Sequence, residues 1–245
     1  TCLLRFANIA RFLVEDGRFI TTQLHPNATM DDMRGFLLGA AVAAAAHQRG
    51  LVPIHVSAAL SPDGAIAFTG ESGAGKSTIA AHVNKMTGWR LISDDVSGLY
   101  RLKNEWQIES GIHTVKLWDD ALGSLGSSSI GLRRDLNRFD KFHAIHKEKF
   151  ATGRHPLLRL IQLNWGETFD LSAPPGRQAF QIALRSIYRP ELARLCGNWS
   201  HVVQTVMSFA ASMEIHSFTR PEARSVEDGA AASVDFLLSH YSLAR

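Results

Sequence analysis

The eight residues Gly70-Glu71-Ser72-Gly73-Ala74-Gly75-Lys76-Ser77 satisfy the pattern G-x-x-x-x-G-K-[ST] at every defined position. They constrain the fold more than any other feature, because the pattern works only with a buried strand leading into it and a helix leaving it. Both flanks are legible. Ala65-Ile66-Ala67-Phe68-Thr69 is a short apolar run that reads as a buried strand, and Ser77-Thr78-Ile79-Ala80-Ala81-His82-Val83 has helical spacing. The expected fold class is α/β, a central mixed sheet with flanking helices.

Each fixed position has a physical reason. Gly70, Gly73 and Gly75 lack a Cβ, so the backbone can take positive φ and turn its N–H groups inward around a phosphate, at the positive end of the following helix. Lys76 supplies a point charge between the β- and γ-phosphates, and the Ser77 hydroxyl is placed to ligate a bridging Mg²⁺. The nucleotide-binding set is therefore Gly70, Glu71, Ser72, Gly73, Ala74, Gly75, Lys76, Ser77 and Thr78, with ATP and Mg²⁺ as the expected ligands. No base-reading motif is legible, and Trp106, Trp118 and Trp165 read as core residues rather than stacking platforms.

At 245 residues the chain is expected to form a single domain, 1–245, with an N-terminal hairpin and helix over 1–50, a nucleotide-binding core over 51–165 and a C-terminal region of unclear role over 166–245. Lys plus Arg number 26 against 23 Asp plus Glu, a net charge of +3, so bulk charge gives no reason to expect a nucleic-acid partner. The two cysteines, Cys2 and Cys196, form neither a disulfide framework nor a zinc pattern, which fits a reducing cytoplasm. The most apolar stretch, residues 36–46, is too short to span a membrane and reads as part of a core helix over about 30 to 49.

That helix starts near Asn27 or Thr29, with Asp31 and Asp32 in its first turn, and ends before Gly50. A hairpin turning at Asp16-Gly17 precedes it, and a second hairpin turns at Ser61-Pro62-Asp63-Gly64. Strands are expected over 89–93, 96–102, 106–109 and 157–163. A helix is expected over 115–125, a mobile loop over Gly123–Gly131 and a charged solvated face over Arg133–Lys149. Arg138 and Lys141, beyond that loop, are candidates for a phosphate clamp.

Asp94 and Asp95 end the strand that follows the loop helix. In an open α/β sheet that end faces the crevice where ligands bind, so one carboxylate can serve Mg²⁺ and the other can accept a hydroxyl proton. His55, on the hairpin strand beside the loop, reads on its own as a core histidine. Three function classes follow: a kinase acting on a peptide or protein hydroxyl, a small-molecule kinase of shikimate-kinase type, and an ATP-hydrolysing switch or binding module.

Thr69-Gly-Glu-Ser-Gly-Ala-Gly-Lys-Ser77, followed by Leu91-Ile-Ser-Asp-Asp95 and preceded by His55, resembles the catalytic domain of the HPr serine kinase/phosphorylase family. The resemblance implies a P-loop kinase domain of HPr kinase/PEP carboxykinase-like type that transfers the ATP γ-phosphoryl group to a serine hydroxyl. It implies Asp94 as general base with His55 assisting, and Ser77 and Asp95 as Mg²⁺ ligands, with Glu109 a second metal candidate. Leu37-Leu38-Gly39, His47-Gln-Arg-Gly50, Pro53-Ile-His55 and Lys116-Leu-Trp118 are similar to the subgroup encoded with lasso-peptide genes, which implies a lasso precursor rather than HPr as the serine-bearing partner. Glu109-Ser-Gly-Ile-His113 stands where phosphorylase-active members have a Gly-rich signature, so the forward reaction is expected. Homo-oligomers are also implied, and neither nucleic acid nor membrane is an expected partner.

Overall fold

The N-terminal fifty residues build a small layer of their own. Strands β1 (Cys2–Phe6), β2 (Ala10–Glu15) and β3 (Phe19–Leu24) form an antiparallel meander. The expected turn at Asp16-Gly17 is present, with both residues at positive φ (52° and 64°), and a second turn through Asn8 (φ 59°) adds the first strand. Helix α1 (Met30–Phe36) is fixed at its start by a capping box. Thr29 Oγ1 accepts from the Asp32 amide at 3.2 Å, and the Asp32 carboxylate accepts from the Thr29 amide at 2.7 Å. A π-helical segment, Leu37–Ala41, then leads into α2 (Val42–Gln48), which ends at Gly50 with φ 72°. The helical span was legible in the sequence, whereas its wider middle turn was not. Phe12 and Val14 from the meander pack on Met33, Ala41 and Ala44.

The computed structural model describes residues 1–111, 115–118, 123, 133–135, 138–144 and 149–241. After α2 come β4 (Val52–Ile54), β5 (Ser57–Leu60), β6 (Ala65–Thr69), α3 (Lys76–Thr87), β7 (Arg90–Asp94), β8 (Ser97–Leu102) and β9 (Glu105–Glu109). Next are β10 (Val115–Trp118), β11 (Arg133–Asp135), β12 (Arg138–Ala144), β13 (Arg154–Trp165) and β14 (Asp170–Ser172). The chain continues with α4 (Gly176–Arg185), α5 (Pro190–Leu195), α6 (Trp199–Ser212), β15 (Glu214–Arg220) and α7 (Val226–His240). The fold is mixed α/β. A nine-stranded sheet runs in the order β4-β8-β9-β13-β6-β5-β7, with β15 also on β13 and β14 on β15.

The helix expected from residue 115 is not what forms there. Val115–Trp118 is a strand that pairs antiparallel with β12, because a β-branched and an aromatic residue in a four-residue segment suit a strand once a partner is available. Apart from Gly123, the expected loop over Gly123–Gly131 lies outside the described residues. The charged stretch from Arg133 supplies strands β11 and β12.

All five residues of β6 are buried, and their alternation splits the core in two. Ile66 and Phe68 join Ile161, Leu163 and Phe218 under α3 and α7. Ala65 and Ala67 join Leu160 under α4 and α6, where Ile182, Val206 and Phe209 complete the layer. Each large side chain buried this way contributes about 1.5–3 kcal/mol by removing its apolar surface from water. The C-terminal region therefore covers both faces of the sheet and adds β15 to it.

Strand directions decide what shares an edge. β13 runs parallel to β6 and β15 parallel to β13, while β5 is antiparallel to both β6 and β7. β6, β7, β13 and β15 consequently point their C-terminal ends the same way. Cys196 lies beside Cys2, and burial pushes its thiol up. Among the described residues, no helix is long and apolar enough to cross a membrane.

Candidate functional site

The strand, glycine loop and helix occur as the motif requires. β6 ends at Thr69, the loop occupies 70–75, and α3 begins at Lys76. Gly70, Gly73 and Gly75 all have positive φ (145°, 91° and 80°), which L side chains rarely adopt. Two of them would also meet close neighbours if they carried a Cβ. A Cβ on Gly70 would come 2.9 Å from the Leu163 carbonyl oxygen, and one on Gly75 would come 2.5 Å from Arg220 Nη2. Around Gly73 there is open space, so only its backbone conformation demands glycine. Lys76 is 8% exposed and folds back over the loop, its Nζ donating to the carbonyls of Gly70 (2.9 Å) and Glu71 (3.0 Å). Glu71, Ser72 and Gly73 form the exposed crest of the loop, Ala74 is buried, and Ser77 and Thr78 are half-buried in the first turn of α3.

Arg220, invisible to sequence reasoning, buttresses this loop. It ends β15 and is 4% exposed. Its Nη2 donates to the Ala74 carbonyl, and its guanidinium stacks 3.8 Å from the centre of the Trp165 ring. Arg220 Nε is buried without a hydrogen-bond partner among the described residues, and burial lowers the guanidinium pKa to about 10. It remains charged at neutral pH. The only signal in the sequence is a basic residue closing the segment Glu214–Thr219 before Pro221, which says nothing about the phosphate loop.

On the other side of the loop lies the acidic pair. Asp94, the last residue of β7, is 7% exposed and accepts a hydrogen bond from Ser57 Oγ, its register partner on β5. Asp95 leaves the strand at φ 97°, an uncommon conformation for a non-glycine residue, with its amide on the Val56 carbonyl at 3.1 Å. That turn brings Asp95 Oδ1 to 3.3 Å from His55 Nε2. His55 occupies the short break between β4 and β5 rather than a strand. The break arises because Ile54 pairs with β8, whereas Ser57 pairs with β6 and β7. Its amide donates to the Ser186 carbonyl at 2.6 Å, its carbonyl accepts from Thr69 Oγ1 at 3.4 Å, and its ring meets Tyr188 edge-on at 5.9 Å.

The remaining predicted residues divide. Glu109 accepts from Tyr100 Oη and from Arg154 Nε at 3.2 Å, so a cation there would have to displace a guanidinium. Arg138 and Lys141 fall on β12, and their side chains lie outside the described residues. Trp106 is core, 5% exposed, but Trp165 is 51% exposed at the end of β13, contrary to the core reading. The Trp118 side chain lies outside the described residues.

A mixed α/β sheet with a phosphate-loop-type turn at its parallel edge defines the class of this fold. Neither a protein-family model nor a curated protein matches the chain. Among solved structures it is distantly similar to the HPr(Ser) kinase/phosphatase from Coxiella burnetii, at 10% identity over 78% of this chain and 95% of that one, with a TM-score of 0.39.

The donor set fits a nucleoside triphosphate with Mg²⁺. The loop offers backbone amides and a buried ammonium for phosphate, and a hydroxyl and carboxylates are hard oxygen ligands suited to Mg²⁺.

Proposed function

We propose that the chain is an ATP-dependent kinase that phosphorylates a serine hydroxyl on a peptide or protein. The observation supporting this reading is the shared edge: the glycine loop and Lys76 at the end of β6, with Asp94, Asp95 and His55 beside it at the end of β7. A loop alone binds phosphate. A loop next to two carboxylates of unequal environment has a place for a metal and a place for a base.

Ser77 and Asp94 would hold Mg²⁺, which offsets phosphate charge when bound. Asp95 is assigned the base. It is more exposed than Asp94, so an incoming hydroxyl can reach it, and His55 at 3.3 Å stabilises the carboxylate before the proton arrives. This exchanges the roles that the family resemblance implies for the two aspartates. The serine Oγ–H gives its proton to the Asp95 carboxylate as the Oγ–P bond forms. The bond from the γ-phosphorus to its bridging oxygen breaks, and ADP leaves. Lys76 stabilises charge on the transferring group.

The test is intact mass spectrometry after incubation with ATP, Mg²⁺ and a lasso precursor peptide carrying a serine, with HPr in a parallel tube and Lys76→Ala as control. A gain of one phosphate on the peptide that is absent with Lys76→Ala supports the reading and its acceptor class. Phosphate on HPr alone keeps the kinase and changes the acceptor. ATP hydrolysis with no transfer to either overturns the peptide-kinase reading.

A further inference from the structure

The acidic cluster lies on the β7 side of the phosphate loop. If phosphoryl transfer takes place there, the γ-phosphate points toward β7 and the rest of the nucleotide leaves the loop on the opposite side. The sheet order settles which elements occupy that side: β13 is next to β6, and β15 is next to β13, both parallel to it and ending on the same edge.

Those two strands end on a facing pair. Trp165 is the register partner of Arg220. The Arg220 guanidinium lies between the loop and the indole, where a Cβ on Gly75 would come 2.5 Å from Nη2 and the ring centre is 3.8 Å from the guanidinium carbon. A half-exposed tryptophan is thus packed on a buried cation that also donates to the loop carbonyl of Ala74. Packing demands neither feature. Arg220 keeps a buried Nε without a partner, and Trp165 leaves half its surface in water although apolar layers lie under both faces of the sheet. A rigid, half-open aromatic beside a phosphate site is the geometry on which a nucleobase stacks, and stacking tolerates any base because every base has a π-face.

We propose that Trp165, fixed by Arg220, is the platform for the purine base of the nucleotide held by the phosphate loop. This rests on the nucleotide-binding reading of the loop. It also accounts for the missing base-reading motif: the contact is a stacking surface assembled by two strands distant in sequence, not a local hydrogen-bonding pattern.

Calorimetric titration of the full chain with Mg²⁺-ATP and, separately, with Mg²⁺-tripolyphosphate separates the two ideas, since tripolyphosphate fills the loop but has no base. For Trp165→Ala the expected result is an ATP affinity lower by about ten-fold or more, with tripolyphosphate affinity unchanged, and recovery of most of the loss in Trp165→Phe. If Trp165→Ala weakens both ligands equally, the indole acts only on the loop through Arg220 and the platform is overturned. Unchanged ATP affinity in Trp165→Ala also overturns it. Failure of the wild-type chain to bind either ligand would instead remove the nucleotide reading on which the platform rests.

Discussion

His55 Nε2 lies 3.3 Å from Asp95 Oδ1, and the contact exists because Asp95 adopts φ 97° directly after β7. An aspartate at positive φ costs energy that the fold must supply elsewhere, and such residues concentrate where a side chain has to be aimed. Asp94, one residue earlier, stays in regular strand geometry and is buried against Ser57. The two carboxylates are therefore unequal in exposure and in partners.

That inequality gives the first prediction. Asp95→Asn should lower the rate of phosphoryl transfer by about 10²- to 10⁴-fold, the usual worth of a general base, while leaving nucleotide affinity nearly intact. Asp94→Asn should raise the Mg²⁺ concentration required for half-maximal rate. Both are read from transfer rates measured across a Mg²⁺ series. The opposite pattern, with Asp95→Asn active and Asp94→Asn dead at saturating Mg²⁺, would return the base to Asp94.

A second prediction compares two glycines of one loop. Gly73→Ala adds backbone strain at φ 91° but meets open space, so it should cost about 1–3 kcal/mol of loop conformation. Gly75→Ala adds the same kind of strain at φ 80° and also brings a Cβ to 2.5 Å from Arg220 Nη2, so the guanidinium that stacks on Trp165 and donates to Ala74 has to shift. Gly75→Ala should therefore lose the greater part of triphosphate binding, as read by the thermal shift that Mg²⁺-ATP produces. Equal losses in the two variants would show that the Arg220 contact does not brace the loop.

How much of this was legible from the chain follows from how local each feature is. The loop, its strand and its helix are set by residues 65–83, so they could be read directly, and the Thr29 cap and the Asp16-Gly17 turn are local in the same way. Val115–Trp118 was misread because four residues are too few to separate a period of two from one of 3.6, and its partner β12 lies more than twenty residues on. Arg220 carries no local signal, and Trp165 reads from the sequence as core although it is half-exposed. Their relation to the loop depends on the parallel register of β13 with β6 and β15, which no short pattern encodes.

Two buried histidines, His47 and His82, and the partly buried His216 predict the response of stability to acid. His47, His82 and His216 all have pKa values lowered from 6.5, in each case chiefly by burial. The folded state therefore binds fewer protons than the unfolded state between each lowered pKa and 6.5. Stability from this source is complete above about pH 6.5 and falls as pH drops through that window, levelling off below the folded pKa values. His47 is 0% exposed and its Nδ1 has no partner among the described residues, so His47→Gln should flatten the pH dependence of Tm between pH 7 and 5. An unchanged slope in that variant would show that His47 is not among the groups responsible.

Arg220 makes the sharpest separation of stability from function. A buried guanidinium with an unpartnered Nε, and no ion pair among the described residues, is a poor stabiliser, because its desolvation is offset only by one carbonyl and one aromatic face. Arg220→Met keeps length and apolar contact while removing that cost, so its Tm should stay close to wild type. Phe218→Ala, two residues earlier on the same strand and fully buried, should instead cost about 3–5 kcal/mol. Triphosphate affinity should move the other way. Arg220→Met frees the Ala74 carbonyl and unclamps Gly75, and should weaken Mg²⁺-ATP by roughly ten-fold or more, since a hydrogen bond from a charged donor is worth about 1.5–3 kcal/mol. A variant that melts well below wild type yet binds ATP normally would make Arg220 a structural residue and leave the loop to hold itself.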